Sequence, residues 1–155
     1  GMGLGAGDLM LWPDSSTFTK EEIIHNLRYL KQVSSFRTKY DYDNLLYLVA
    51  GEVVARVSGQ SWEDFVEERI MEPLGMERSS TSLRRVKDNS NIIDAHVPVE
   101  GKLQVIPKYQ SDLLNPAGGI ISSVADMTAW VMMQLNRGKY GEGLGKQLIS
   151  ERVHR

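Results

Sequence analysis

The 155-residue sequence predicts a mainly α-helical fold with one small antiparallel β-hairpin. Two observations carry this. Four times a Ser, Thr, Asp or Asn cap stands just ahead of apolar residues at helical spacing. Once, short alternating segments flank a glycine turn, in Val97-Pro98-Val99, Glu100-Gly101-Lys102 and Leu103-Gln104-Val105. The length fits a single domain, residues 1–155, able to bury a real core.

Residues 1–16 carry four glycines, one proline and an apolar knot, Leu9-Met10-Leu11-Trp12. They read as if cut from something longer, with Gly1 standing before a start methionine. Thr19-Lys20-Glu21-Glu22 is a capping box, and Ile23, Ile24, Leu27 and Leu30 line one face of the short helix behind it. Thr17 and Lys20 also form a Thr-x-x-Lys, but cap chemistry explains both ends better than a nucleophile with its base.

The central stretch runs from Phe36 to Gly59. Tyr42-Asp43-Asn44 stands at the mouth of an apolar helix whose Leu45, Leu48, Val49, Val53 and Val57 are expected to be buried. Ser58-Gly59 ends it. Spacing alone favours Asn44 or Asp43 as the cap of this helix, with Tyr42 as packing, over the alternative that a phenol and an amide at a rigid helix start are aimed at a ligand.

A second start signal, Ser61-Trp62-Glu63-Asp64, precedes a stripe of Trp62, Phe65, Val66 and Ile70, closed by Pro73-Leu74-Gly75. Residues 77–91, with Ser79 to Ser82 and charges from Arg84 to Asp88, read as a surface loop with a short helical piece. Pro98 and Pro107 make the hairpin strands edge strands. Asn115-Pro116-Ala117-Gly118-Gly119 either makes a turn or lets backbone approach a partner closely. Ser123, with Asp126 at the capping-box position, starts a third long helix with Met127, Trp130, Val131 and Leu135 as its inner face. Asn136-Arg137-Gly138 ends it, and a weak helix over 146–153 follows.

Composition excludes several functions. Net charge is −2 without long charged runs, which argues against a nucleic-acid partner. With no cysteine, disulfides, thiolate metal sites and a cysteine nucleophile are ruled out. No apolar run is of membrane length, and the opening GMGLGAGDLM does not read as a signal peptide. Phosphate-loop, dinucleotide, zinc-protease and Gly-x-Ser-x-Gly motifs do not occur. His25, His96 and His154 lie far apart without ligand spacing, so no metal and no cofactor is expected. Trp12, Trp62 and Trp130 read as core.

The order of motifs resembles one family. Tyr42-x-Asn44 before an apolar helix, Ser61-Trp62-Glu63-Asp64-Phe65, Glu72-Pro73-Leu74-Gly75-Met76, Pro116-Ala117-Gly118-Gly119 and Ser122-Ser123-x-x-Asp126-Met127 are similar to the serine β-lactamase and penicillin-binding-protein-like family. The resemblance is to its class C and related esterase or D-Ala-D-Ala peptidase branch and runs from about residue 3 to 149. It implies the helical middle region of a β-lactamase-like α+β fold, lacking most of the central sheet. It also implies a serine acyl hydrolase working through an acyl-enzyme on small β-lactam, peptide or ester substrates, in a periplasmic or secreted parent.

Tyr42 then matches the tyrosine that helps activate the serine, and Asn44 the amide that contacts the acyl side chain and a catalytic lysine. A free tyrosine titrates near pH 10, so a basic Tyr42 needs cations beside it. The family's lysines, or a histidine, come from Ser-x-x-Lys and Lys-Thr-Gly or His-x-Gly, none of which occurs here. The resemblance places those motifs before and after this segment, which is therefore expected to be inactive alone. Gly118 stands where class C enzymes carry an aromatic residue, so Gly118 and Gly119 would shape a roomier pocket wall, tilting the substrate towards an ester or peptide. Asp43 would oppose ionisation of Tyr42 if turned inward and do nothing if solvated. An apolar face left without its sheet predicts self-association. The alternative is a naturally short, non-catalytic relative acting as a binding module.

Overall fold

The structure, a computed structural model, describes residues 7–11, 17–108 and 111–154. Trp12 lies outside the described residues. Helix α1 (Lys20–Asn26) opens with the capping box: Glu22 N donates to Thr19 Oγ1 at 3.2 Å, and Thr19 N donates to the Glu22 carboxylate at 2.8 Å. Helix α2 (Asn44–Ser58) is capped by Asp43, which accepts from Leu46 N at 3.2 Å, and closed by Gly59 in the left-handed conformation. Leu11, Ile23, Leu45 and Leu48 form the core between them, with Ile24, Leu27, Leu30, Leu113 and Leu114 packed around. Each such side chain fully buried contributes about 1.5–3 kcal/mol. Lys20 and Glu52 tie α1 to α2 at 3.0 Å.

Helix α2 corrects one expectation. Only Leu45, Leu48 and Gly51 are fully buried, whereas Val53 and Val57 are 55% and 83% exposed. Leu45, Leu48 and Gly51 follow one helical stripe, and Val53 and Val57 fall on another, which nothing among the described residues covers.

Helix α3 (Trp62–Val66) is capped by Ser61, which accepts from Asp64 N at 3.0 Å. It runs through a π-helical turn, Glu67–Met71, into α4 (Glu72–Leu74), which ends at Gly75. Val66, Met71 and Met76 centre a second core with Trp62, Phe65, Ile70, Ala129 and Trp130.

The segment read as a surface loop is partly interior. Ser80, Thr81 and Ser82 are buried, and Ser80 exchanges two backbone hydrogen bonds of 2.9 Å with Ile121. Thr81 donates its backbone N–H and hydroxyl to Glu67, at 3.2 and 2.6 Å, and Arg85 bonds Glu67 and Asp64. The side chains satisfy one another, so polar residues go inside without an orphaned group. Burial pushes the Glu67 carboxyl up, but the Thr81 and Arg85 bonds outweigh it, and its pKa is lowered on balance.

Helix α5 (Val124–Leu135) starts at Ser123, which accepts from Asp126 N at 3.2 Å. Asp126 does not close a capping box; it reaches across to Arg78 N and Ser79 Oγ, at 2.8 and 2.7 Å. This turns the helix from the expected orientation. Asp126, Ala129, Trp130 and Met133 face inward, while Met127, Val131 and Leu135 are exposed. Strands β1 (Ala95–Val99) and β2 (Lys102–Ile106) form the expected hairpin about Glu100-Gly101, pairing Val99 with Lys102. The expected helix over 146–153 is shorter. Strand β3 (Lys139–Tyr140) pairs with β4 (Lys146–Gln147), and only α6 (Glu151–His154) is helical.

Candidate active site

Tyr42, Asp43 and Asn44 sit where an extended segment enters α2. Asp43 has extended backbone angles and only 3% exposure, so its side chain is turned inward. One of its oxygens caps the helix and the other, Oδ2, is buried without a hydrogen-bond partner among the described residues. Burial raises its pKa, the Leu46 and Leu45 N–H groups pull it back, and the charge of Asp8 raises it further. Because Asp43 takes the cap, its neighbours are free for other work. Tyr42 is 37% exposed, with its ring 6.2 Å from that of Tyr47. Asn44, the first residue of the helix, donates Nδ2 to Asp8 Oδ2 at 3.4 Å.

Gly118 and Gly119 lie elsewhere, in the turn Asn115–Gly119, which packs on the middle of α2. A Cβ at Gly51 would lie 2.4 Å from Pro116 Cγ, so only glycine lets the turn sit this close. Gly51 is seven residues past Asn44, about 10 Å along the helix. A Cβ at Gly119 would meet Asn115 Oδ1 at 2.5 Å and the Thr81 carbonyl at 2.7 Å. Asn115 is itself held by Glu63 at 2.7 Å. At Gly118 a Cβ would meet nothing within 4 Å.

Both glycines line an open groove of about 240 Å³ together with Ile92, Ile93, Lys108, Asp112 and Asn115. Neither Tyr42 nor Asn44 lines it. The four residues singled out from sequence thus form two groups on one helix, the phenol and amide at its start and the glycines against its middle. Sequence reasoning missed Asp8, which touches Asn44 from a distant segment, and the Glu67–Thr81 pair, whose Thr81 carbonyl lies against Gly119. No local spacing marks either contact. Among the described residues no group of three or more His, Asp or Glu side chains could hold a metal ion, and no helix is long and apolar enough to cross a membrane.

Comparison with known proteins agrees with this fold. The Beta-lactamase family profile matches residues 2–155. Unguisins hydrolase ungD of Aspergillus violaceofuscus is 27% identical over 124 residues, which are 76% of this chain and 22% of that protein. The octameric penicillin-binding protein homologue from Pyrococcus abyssi superposes with a TM-score of 0.74 at 25% identity, over 98% of this chain and 34% of that one. The D-amino acid amidase from Ochrobactrum anthropi SV3, at 20% identity, shares the fold with a TM-score of 0.66 over 81% of this chain and 39% of that one. The chain therefore spans between a fifth and two fifths of these three proteins. Its helices and minor sheets are the helical middle region of their fold, and the chain belongs to the Beta-lactamase family.

Proposed function

We propose that this chain is one folded segment of a serine acyl hydrolase of the class C β-lactamase, D-Ala-D-Ala peptidase and esterase type. Its substrate is a small β-lactam, peptide or ester, taken through an acyl-enzyme. Tyr42 carries the proton between nucleophile and leaving group, Asn44 holds the acyl side chain, and Gly118 and Gly119 form the pocket wall. The observation that carries this reading is family membership together with Tyr42 and Asn44 flanking a buried cap. Asp43 fixes the start of α2, so a half-exposed phenol and an amide are held at a rigid helix end. The open space at Gly118 supports a roomy wall, which favours an ester or peptide over a dedicated β-lactam substrate.

The chain contains no Ser-x-x-Lys, Lys-Thr-Gly or His-x-Gly. Tyr42 then lacks both the hydroxyl it would deprotonate and the cations that would make it basic, so the segment alone is inactive. Loss of one member of a catalytic unit removes nearly the whole effect. The test is hydrolysis of a chromogenic cephalosporin and a p-nitrophenyl ester by the purified chain and by Tyr42→Phe, with intact mass recorded for an acyl adduct. No turnover and no adduct are expected. Turnover that vanishes in Tyr42→Phe would mean the chain has its own nucleophile and would sink the account of inactivity. Saturable binding of an ester or peptide without turnover, unchanged in Tyr42→Phe, would favour a binding module.

A further inference from the structure

We propose that Asp8 is the positioning residue for Asn44, its carboxylate gripping the amide beside the buried acid Asp43. This rests on the reading of Asn44 as the substrate-contacting amide and adds the group that fixes its orientation. Asn44 Nδ2 donates to Asp8 Oδ2 at 3.4 Å across 36 residues of sequence. Among the described residues, the other Asp8 oxygen, Oδ1, is buried without a hydrogen-bond partner, and so is Oδ2 of Asp43. A carboxylate oxygen removed from water without a donor is costly, and two on neighbouring residues repel as well.

A proton on Asp43 would remove that repulsion and leave its carboxyl neutral in the buried site. The pKa of Asp43 is raised, first by burial and further by the charge of Asp8. Among the described residues the core packed beside the pair is apolar. The core between α1 and α2 presents Leu11, Ile23, Leu45 and Leu48, and Lys20 bridges to Glu52, which also pairs with Arg56, about two turns along α2. Asp8 thus bonds the Asn44 amide, and its charge acts on Asp43. With Nδ2 engaged by Asp8, the two ends of the Asn44 amide are no longer interchangeable, and a substrate meets its carbonyl oxygen in one fixed orientation.

The experiment is NMR of the whole chain, following the side-chain amide of Asn44 and the carboxyl carbons of Asp8 and Asp43 across a pH titration. In the unsubstituted protein the Asn44 Nδ2 signals are expected to move in step with the carboxyl pair. In Asp8→Ala their exchange with solvent is expected to be about tenfold faster, the factor for losing one hydrogen bond to a charged group. Backbone amides of α2 should not change, since Asp43 still caps it. Asp8→Asn preserves shape if Asp8→Ala unfolds; with the neighbouring charge gone, the Asp43 midpoint should fall. Asn44 signals blind to pH and unchanged in both variants would overturn the proposal. These signals do not depend on catalysis. A failure of Asn44 to contact substrate would show as ester or peptide binding unchanged in Asn44→Ala, and a failure of Asp8 to hold Asn44 shows only here.

Discussion

Asp43 shows how one residue carries two opposed effects. It supplies the N-cap of α2, a role in which Asp and Asn are nearly equal, and it buries an oxygen without a partner among the described residues. Its folded pKa is raised, so in the window above its ordinary value the folded chain binds more protons than the unfolded chain. Stability linked to this group is therefore full at low pH and falls as pH rises through the raised pKa. Asp43→Asn keeps the cap and removes the ionisation. It is expected to melt at higher temperature than the parent at pH 7, with the difference shrinking towards pH 4. Thermal unfolding by circular dichroism at several pH values checks this, and a lower melting temperature at pH 7 would show that the charged cap outweighs its burial. Nothing in the order Tyr-Asp-Asn reveals that the aspartate turns inward, because the choice between cap and solvent depends on what covers it.

At the scale of elements, caps were legible and faces were not. Thr19, Ser61 and Ser123 each accept the N–H three residues on, as their local patterns require. The inner face of α5 was misjudged because apolar residues surround much of that helix, so periodicity alone does not choose between its sides. Asp126 chooses, through its bonds to Arg78 and Ser79 from a segment 47 and 48 residues away. The meeting of α2 with the Asn115–Gly119 turn is set by a missing Cβ. Gly51→Ala would place a methyl carbon 2.4 Å from a proline ring that has little freedom to yield. The expected cost is about 1–3 kcal/mol, as for other overpacked contacts. Urea unfolding of the variant tests this, and a cost near zero would show that the turn moves off α2 freely.

The whole molecule exposes more surface than its mass requires. Its accessible area is 11193 Å², against about 7,900 Å² for a compact monomer of 17.4 kDa. Part of the excess is apolar. Val53 and Val57 on α2, and Val124, Val131, Met132 and Leu135 on α5, are 48% to 87% exposed. Surfaces of this kind tend to be buried in contacts. The isolated chain is therefore expected to self-associate, with a light-scattering mass that rises with concentration and falls back in Val57→Ser combined with Leu135→Gln. A monomer at every concentration in the unsubstituted chain would refute this.

The sequence alone determined the helix starts, the hairpin and the family resemblance, because caps, turn glycines and short motifs are local chemistry read over three to five residues. It also determined that Ser-x-x-Lys and its partner motif are absent. Only the tertiary structure decided which stripe of α2 and α5 is interior, that Ser80, Thr81 and Ser82 are buried, and that Asp8 reaches Asn44. It also separated the glycine turn from the Tyr42–Asn44 pair by about two helical turns. The physical reason is common to all of these. Burial and long-range hydrogen bonding depend on which distant surface arrives, and a local pattern with apolar or polar residues on two sides suits more than one arrival.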